Sequence, residues 1–104
     1  MLRCVYTMKL KPGTVAEYKR RHEAIWPELA RALREAGILD YSIYLDEQNL
    51  TLVAVQTRSE HHTVADLPHQ PIVKKWWAYM APLMEVHPDN SPVETALEAV
   101  FHLD

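Results

Sequence analysis

The sequence predicts an α+β fold of the ferredoxin-like βαββαβ type, in which a strand, a helix, two strands, a helix and a last strand follow one another. Two observations lead to this prediction. Apolar residues alternate with polar ones in four stretches, and two other stretches carry apolar residues three and four positions apart. The 104 residues, 48% of them hydrophobic, suffice for one core, so we expect a single domain over residues 1–104.

The first strand and the start of the first helix have clear local signals. Residues 2–10 place apolar side chains at every second position, which is typical of a strand with one buried face. Pro12 and Gly13 then predict a turn. Thr14 and Glu17 stand three positions apart, as in the capping box that begins many helices. A helix is therefore expected to start at this point.

The first helix carries its apolar side chains at helical spacing from Val15 to Leu33, and Gly37 is a typical residue just beyond a helix end. Pro27 interrupts this pattern, because proline lacks an amide hydrogen and its ring crowds the carbonyl four residues earlier. We therefore predict one helix with a kink at residues 23–26.

The second half of the chain repeats these patterns. Residues 38–46 and 50–58 alternate and are joined by a short polar turn, which predicts an antiparallel hairpin. Residues 59–70 are polar and rich in histidine, and Pro71 suits the first turn of a second helix. Residues 93–103 alternate again, and although their alanine and glutamate content would also suit a helix, we predict the last strand there.

The third strand is apolar on both of its faces. Leu52 and Ala54 point to one side, whereas Val53 and Val55 point to the other. The two predicted helices cover only one face of such a sheet. We therefore expect a second copy of the chain to cover the other face, which gives a two-fold homodimer.

Composition excludes several classes of function. The net charge is −3 and the 11 lysines and arginines are scattered, so the sequence does not favour nucleic acid as a partner. Gly13 and Gly37 are the two glycines, too few for a phosphate-binding loop. No apolar stretch approaches the ~20 residues of a membrane span. The single cysteine, Cys4, fits a reducing compartment, and we expect a cytoplasmic protein with no membrane partner.

Three histidines, His61, His62 and His69, lie in the polar connection. Adjacent histidines point apart on a strand or a helix, whereas zinc sites need ligands that converge. We interpret this segment as a solvated connection, with metal binding as the alternative, and expect no metal.

Five aromatic or polar-aromatic residues are candidates for a binding site. Tyr18 and His22 are four positions apart, so their side chains lie about 6 Å from each other on one stripe of the first helix. Trp76 and Trp77 are adjacent on the second helix, and Tyr41 shares the inward phase of the second strand. Each could be an ordinary core residue. Together they describe a cavity with aromatic walls and a few polar tips, which suits a small neutral sugar.

Four stretches carry a resemblance to a known family: YKRRHEAIWPEL, YSIYLDEQNLTLVAV, KKWWAYMAPLMEVHPDNSPV and VFHL. They closely resemble the L-rhamnose mutarotases, and the resemblance runs over nearly the whole chain. The segment HHTVADLPHQP, with Pro68 and Pro71, departs most from the family pattern.

The resemblance implies a dimeric α+β barrel fold and a cytoplasmic homodimer. The implied activity is that of an isomerase, which interconverts the α and β anomers of L-rhamnose without metal or cofactor. By the same resemblance His22 is the proton donor, while Tyr18, Tyr41, Trp76 and Trp77 contact the sugar.

The sequence does not identify the general base, for which a tyrosine, a carboxylate or an ordered water would each serve. Two other functions also fit the fold. One is a monooxygenase or haem-binding protein of the dimeric α+β barrel type, in which His22 would be a base or an axial ligand. The other is a ligand-binding module without catalytic activity.

Overall fold

The computed structural model describes all residues from 1 to 104. In chain order its elements are β1 (Leu2–Lys9), α1 (Val15–Glu23), α2 (Pro27–Glu35), β2 (Ile38–Asp46), β3 (Thr51–Arg58), a 3₁₀ helix (Val64–His69), α3 (Pro71–Met80), a 3₁₀ turn (Ala81–Leu83) and β4 (Thr95–Ala96).

The four strands form one antiparallel sheet in the order β2-β3-β1-β4. This is the strand order of the ferredoxin-like fold, as the sequence predicted. In the register of β1 and β3, Tyr6 lies opposite Ala54 and Met8 lies opposite Leu52, and all four residues are buried. The core therefore lies between this inner face of the sheet and the helices that pack on it.

The first helical region is broken rather than kinked. The sequence predicted one helix with a kink at residues 23–26, but α1 ends at Glu23 and α2 begins at Pro27. The Ala24 amide donates to the Arg20 carbonyl, which closes α1. Pro27 occupies the first turn of α2. A backbone amide at this position would have no acceptor within the helix, so the lack of an amide hydrogen in proline costs no hydrogen bond. The proline thus starts a new helix.

The predicted capping box does not form. The Thr14 hydroxyl donates to the Lys11 carbonyl at 2.7 Å and also lies 3.0 Å from the Leu83 carbonyl, so no side chain caps α1. Glu17 accepts a hydrogen bond from Arg21 Nε at 2.6 Å. Thr14 therefore ties the start of α1 to the turn after α3.

The β2–β3 hairpin has the predicted position, with an irregularity at its start. A register shift between Ile38 and Asp40 changes the direction of the following side chains, and Leu39 is 57% exposed although it stands two residues before Tyr41, in the phase that the alternation predicts to be inward. After this bulge Tyr41 lies opposite Gln56 on the inner face. The bulge thus sets the direction of Tyr41.

The last strand is much shorter than the predicted range 93–103. Only Thr95 and Ala96 pair with β1, followed by one more hydrogen bond from the Leu97 amide to the Val5 carbonyl. The later alternating residues bury no side chain, and Val100 is 92% exposed. Alternation favours a strand only where one face of it packs, and these residues pack against nothing in this chain.

Gly37, between α2 and β2, occupies a position that no other residue fits. Its φ is +98°, and a Cβ there would lie 2.6 Å from Ser59 Oγ and 2.8 Å from His62 Cβ. We expect Gly37→Ala to lower the free energy of unfolding by about 2–6 kcal/mol, since backbone strain and overpacking each contribute roughly 1–3 kcal/mol. Urea denaturation measures this change. Gly13→Ala is the matched control, because Gly13 also has positive φ but no atom within 4 Å of its added Cβ. Equal losses in both variants would contradict the role of the close contact.

Candidate active site

A cavity of ≈ 1180 Å³ lies between the inner face of the sheet and the helices. All five candidate side chains of the sequence line it: Tyr18, His22, Tyr41, Trp76 and Trp77. They come from α1, β2 and α3, which lie far apart in sequence. The fold therefore brings together all five residues that the sequence predicted for a sugar site. The volume exceeds the roughly 300–1,000 Å³ of common small-molecule pockets, so one sugar would fill only part of it.

His22 is oriented by its own helix. Its Nδ1 lies 3.1 Å from the carbonyl oxygen of Tyr18, one turn earlier. A carbonyl only accepts hydrogen bonds, so Nδ1 carries the hydrogen, and Nε2 is the ring nitrogen left for a ligand. Burial lowers the pKa of His22 below its ordinary value of 6.5, and the bond to Tyr18 opposes this effect only in part. The imidazole is therefore mainly uncharged at neutral pH.

Aromatic rings surround His22. The ring of Tyr18 lies 4.3 Å away between centroids, and the ring of Trp76 meets it edge-on at 5.3 Å. Burial raises the pKa of Tyr18, so its hydroxyl stays protonated at physiological pH. His22 thus lies in a site with apolar walls and a neutral hydroxyl beside it.

The two tryptophans differ in their surroundings. Trp76 is 9% exposed and packs edge-on against Trp26 at 5.0 Å, while Tyr79 lies 5.7 Å away. Trp77 is only half-buried and lines both the main cavity and a smaller one beside it. Trp76 therefore belongs to an aromatic core cluster as well as to the cavity wall, whereas Trp77 lies at the cavity edge.

A chain of hydrogen bonds behind Tyr41 was not expected from the sequence. Arg58 Nε donates to Gln56 Oε1 at 2.8 Å, and Gln56 Nε2 donates to the Tyr6 hydroxyl at 3.0 Å. The Tyr6 and Tyr41 hydroxyl oxygens lie 3.0 Å apart. Gln56 is the one polar residue among the buried ones, and its inward position in β3 was the signal that the sequence offered.

Glu94 is a further cavity residue that the sequence did not suggest. It lies just before β4 and lines the main cavity and the smaller one. Glu94 is exposed to solvent, yet desolvation by the surrounding residues raises the pKa of its carboxyl, although the nearby Arg58 and His87 act in the opposite direction. A carboxyl group with a raised pKa is a stronger base than an ordinary carboxylate. The cavity thus contains a carboxyl group suited to proton transfer.

The smaller cavity, of ≈ 340 Å³, shares Pro68, Trp77, Pro92 and Glu94 with the main one and so lies at its edge. It involves the loop after α3, in which the His87 amide donates to the Ser91 carbonyl at 2.8 Å. Asn90 takes a positive φ of 70° in this loop. Pro68, from the segment that departs most from the family pattern, lines both cavities. That segment is therefore part of the cavity wall.

The family model described as L-rhamnose mutarotase matches residues 3–103. The chain belongs to the L-rhamnose mutarotase family. This confirms the resemblance that the sequence motifs indicated.

Two sequence relatives support the assignment to the L-rhamnose mutarotase family. An L-rhamnose mutarotase from Sinorhizobium fredii is 54% identical over 103 residues, which cover 99% of each chain. One from Rhizobium johnstonii is 55% identical over 98 residues, which cover 94% of this chain and 92% of the relative.

A crystal structure supports both the family and the fold. The L-rhamnose mutarotase from Formosa agariphila is 45% identical, covers 100% of both chains and superposes with a TM-score of 0.93. The predicted α+β fold is thereby confirmed, and it is consistent with the dimeric α+β barrel.

Two findings concern ligands and environment. No group of three or more histidine, cysteine, aspartate and glutamate side chains is arranged to hold a metal ion, and this includes His61, His62 and His69. None of the helices combines the length and the apolar character that crossing a membrane demands.

Proposed function

We propose that this mutarotase-family protein interconverts the α and β anomers of L-rhamnose in the main cavity. The observation that carries the proposal is that Tyr18, His22, Tyr41, Trp76 and Trp77 all line one cavity. The same chain matches the L-rhamnose mutarotase family over residues 3–103. These comparisons favour the mutarotase and give no support to a monooxygenase, a haem-binding protein or a non-catalytic module.

Anomer exchange needs one acid and one base. The ring oxygen gains a proton while the anomeric hydroxyl loses one, the C1–O5 bond breaks, and the open-chain aldehyde forms. Rotation about C1–C2 followed by the reverse proton transfers closes the ring on the other face of the carbonyl. No electrons are exchanged and no atom is lost, so positioned side chains suffice. The proposed reaction uses neither metal nor cofactor.

In this mechanism His22 is the proton donor, and the proton leaves from Nε2. Nδ1 already donates to the Tyr18 carbonyl, which holds the ring in one orientation. Because burial lowers the pKa of His22, its imidazolium is a stronger acid than that of free histidine. Ring closure returns the proton to His22.

For the base, a carboxylate is the option that the cavity supports best, and we propose Glu94. It lines the same cavity as His22, and its raised pKa gives it the basicity that the step needs. Tyr18 and Tyr41 are poorer candidates, since burial raises the pKa of both phenols and keeps them protonated.

Sugar recognition is proposed to use the aromatic walls and the hydroxyls. The C–H faces of a pyranose stack on tryptophan, and Tyr18 and Tyr41 provide hydroxyls for hydrogen bonds. L-Rhamnose carries a methyl group in place of the 6-hydroxyl. Met80 and Met84 line the cavity and offer an apolar surface of adaptable shape for this group.

Polarimetry of freshly dissolved crystalline L-rhamnose tests the proposed activity. The crystals supply one anomer, so the optical rotation drifts to its equilibrium value as the other anomer forms. We expect the protein to raise the rate of this drift in proportion to its concentration. Because the proposed reaction uses no metal, the rate should be the same after treatment with a chelator. A drift equal to that of buffer alone would refute the proposed function.

We also propose that the chain acts as a homodimer in the cytoplasm, with no nucleic acid or membrane partner. The support for the dimer is the outer face of the sheet, where Val5 lies opposite Val55 and Tyr44 lies opposite Val53. These side chains are at most half-buried in the single chain, and no helix packs on them. A second copy would remove this apolar surface from water.

Analytical ultracentrifugation tests the dimer. At micromolar concentration we expect a mass twice that of the 12.1 kDa chain. Val55→Asp should shift the protein toward monomer, because it places a charge at the centre of the outer face. Gln48→Asp, in the exposed turn between β2 and β3, should leave the mass unchanged. A parent protein that sediments near 12.1 kDa would overturn the assembly proposal.

A further inference from the structure

The hydrogen-bond chain behind Tyr41 links three strands across the inner face of the sheet. It runs from Arg58 through Gln56 to Tyr6 and ends at Tyr41, with successive distances of 2.8, 3.0 and 3.0 Å. Arg58 and Gln56 belong to β3, Tyr6 to β1 and Tyr41 to β2. All four residues line the main cavity. The direction of these hydrogen bonds decides what Tyr41 offers to a ligand.

The direction is fixed at the Arg58 end. A guanidinium group has only donors, so the atom of Gln56 that it contacts must be the amide oxygen. This assigns the orientation of the carboxamide and places Nε2, which only donates, next to the Tyr6 hydroxyl. The Tyr6 oxygen therefore accepts a hydrogen bond from Gln56.

The hydrogen bond between Tyr6 and Tyr41 has a preferred direction as well. Tyr6 is buried, and the only other polar partner of its hydroxyl is the Tyr41 hydroxyl. The distance between the two oxygens allows either direction, but Tyr6 is buried and Tyr41 is only half-buried. Because a buried hydroxyl hydrogen without a partner is unfavourable, we assign the hydrogen of Tyr6 to the Tyr41 oxygen. Tyr41 then retains its own hydrogen, which no protein group in the hydrogen-bond network accepts. The cavity is the remaining place for an acceptor.

We propose that Arg58, Gln56 and Tyr6 are positioning residues that make the Tyr41 hydroxyl a hydrogen-bond donor to an oxygen atom of the bound sugar. The proposal rests on the proposed function of the cavity as a sugar site. A chain of bonds that starts at a permanent cation polarises each hydroxyl in the same sense, which strengthens the last donor. Such a Tyr41 cannot be the general base, because its hydroxyl keeps its hydrogen and donates it to the sugar. Burial raises the pKa of Tyr6 and of Tyr41, which keeps both phenols protonated.

Gln56→Glu is the sharpest test, because it keeps the shape of the side chain and reverses the direction of the hydrogen bonds at Tyr6 and Tyr41. A carboxylate at this position, held ionised by Arg58, accepts hydrogen bonds from both neighbours. Tyr6 would then donate to the carboxylate, and Tyr41 would donate to Tyr6. The hydroxyl hydrogen of Tyr41 would then point away from the sugar. Toward the sugar the Tyr41 oxygen could only accept a hydrogen bond, not donate one.

The expected result is a loss of affinity for L-rhamnose that depends on the Tyr41 hydroxyl. We expect Gln56→Glu to weaken L-rhamnose binding, followed by NMR titration, by about two- to tenfold, the effect of one neutral hydrogen bond. In a Tyr41→Phe background the same change should have no further effect. Gln48→Glu adds the same charge in an exposed turn and should leave binding unchanged. Tyr6→Phe, which removes the donor to Tyr41 without adding charge, is the second variant if Gln56→Glu does not fold.

A measurement without sugar separates this inference from the proposed function. With tyrosine labelled at ¹³Cζ, the Tyr41 resonance should shift in Gln56→Glu and in Tyr6→Phe but not in Gln48→Glu. The Tyr41 resonance could shift as expected while the parent neither binds nor exchanges L-rhamnose. That result would support the proposed hydrogen-bond direction and refute the proposed sugar site. If the parent exchanges L-rhamnose and Gln56→Glu weakens binding equally with and without the Tyr41 hydroxyl, the positioning role is refuted. Unchanged Tyr41 shifts in both variants also refute it.

Discussion

Replacing His22 with asparagine is expected to slow the anomer exchange of L-rhamnose by about 10²- to 10⁴-fold, the usual contribution of a positioned general acid or base. Asparagine keeps a polar side chain that can still hydrogen-bond to the Tyr18 carbonyl, but it has no group that titrates. The melting temperature should change little. Saturation-transfer NMR measures the rate, and a thermal melt of the same sample measures the stability.

Tyr18→Phe is the matched control on the same helix. It removes one hydroxyl beside His22 and keeps the ring that packs 4.3 Å from the imidazole. We expect a smaller effect, mainly on sugar affinity, of about 0.5–1.5 kcal/mol for one neutral hydrogen bond. If His22→Asn folds and exchanges anomers at the parent rate, His22 is a core histidine and not the proton donor.

The pH dependence separates the donor role of His22 from a base role. The donating form is the imidazolium, and the pKa of His22 lies below 6.5 because the ring is buried. The donor form therefore becomes more populated as the pH falls from neutral through that pKa, and a rate limited by proton donation rises. The Glu94 carboxylate, whose pKa is raised, also takes up a proton as the pH falls, so the parent is compared with Glu94→Gln. A rate that falls over the same interval in Glu94→Gln as well would assign the neutral imidazole as the base.

The same pKa shift also affects stability. The folded protein holds His22 with a lower pKa than the unfolded chain, so unfolding takes up a proton at mildly acidic pH. The resulting stability is present above about pH 6.5, the ordinary histidine pKa, and is lost as the pH falls through the lower pKa of the folded state. A thermal melt of the same sample should therefore accompany each rate measured at acidic pH, so that a loss of folded protein is not taken for a change in the rate.

Replacing the two tryptophans by alanine should produce two different losses. Trp77 lies at the cavity edge and is half-buried, so Trp77→Ala should weaken sugar binding about ten- to hundredfold with little effect on folding. Trp76 packs on Trp26 and Tyr79, so Trp76→Ala should also lower the free energy of unfolding by about 3–5 kcal/mol.

Fluorescence and urea denaturation together check the tryptophan prediction. Saturating L-rhamnose should change the emission of the parent, and Trp77→Ala should lose a part of that change. Trp26→Phe is a control, because Trp26 contacts the aromatic cluster and does not line the cavity. No emission change in the parent, with full activity in both alanine variants, would leave the pair as structural residues.

Much of the fold followed from local periodicity. The period of two in β1, β2 and β3 and the period near 3.6 in the helices depend on neighbouring residues in the chain, so the element order was readable. The break of the helical region at Pro27 could not be predicted from the sequence in this way. Whether a proline bends a helix or ends it depends on contacts elsewhere, and here Trp26 leaves the helical path and stacks on Tyr79 at 5.3 Å.

The last strand shows the opposite failure. Alternation over residues 93–103 is a local signal, but a strand needs a surface on which one face packs. Beyond Ala96 this chain provides none, and Phe101 is 80% exposed. Local pattern alone therefore predicted a longer strand than the single chain forms.

The candidate site was readable only in part. Tyr18, His22 and the tryptophan pair follow from spacing on a helix and from the family motifs, and the structure places them at one cavity. The link from Gln56 to Tyr41 depends on the register between β2 and β3, which includes the bulge after Ile38. No local pattern reports a register of this kind, so these contacts became visible only in three dimensions.

The most direct measurement of the central claim is saturation transfer between the two anomeric proton signals of L-rhamnose at equilibrium. With catalytic amounts of the parent protein, irradiation of one anomeric signal should reduce the other, because exchange becomes fast relative to proton relaxation. The reduction should grow with protein concentration and disappear in His22→Asn. Two anomeric signals that stay independent at every concentration of folded parent protein would contradict the account.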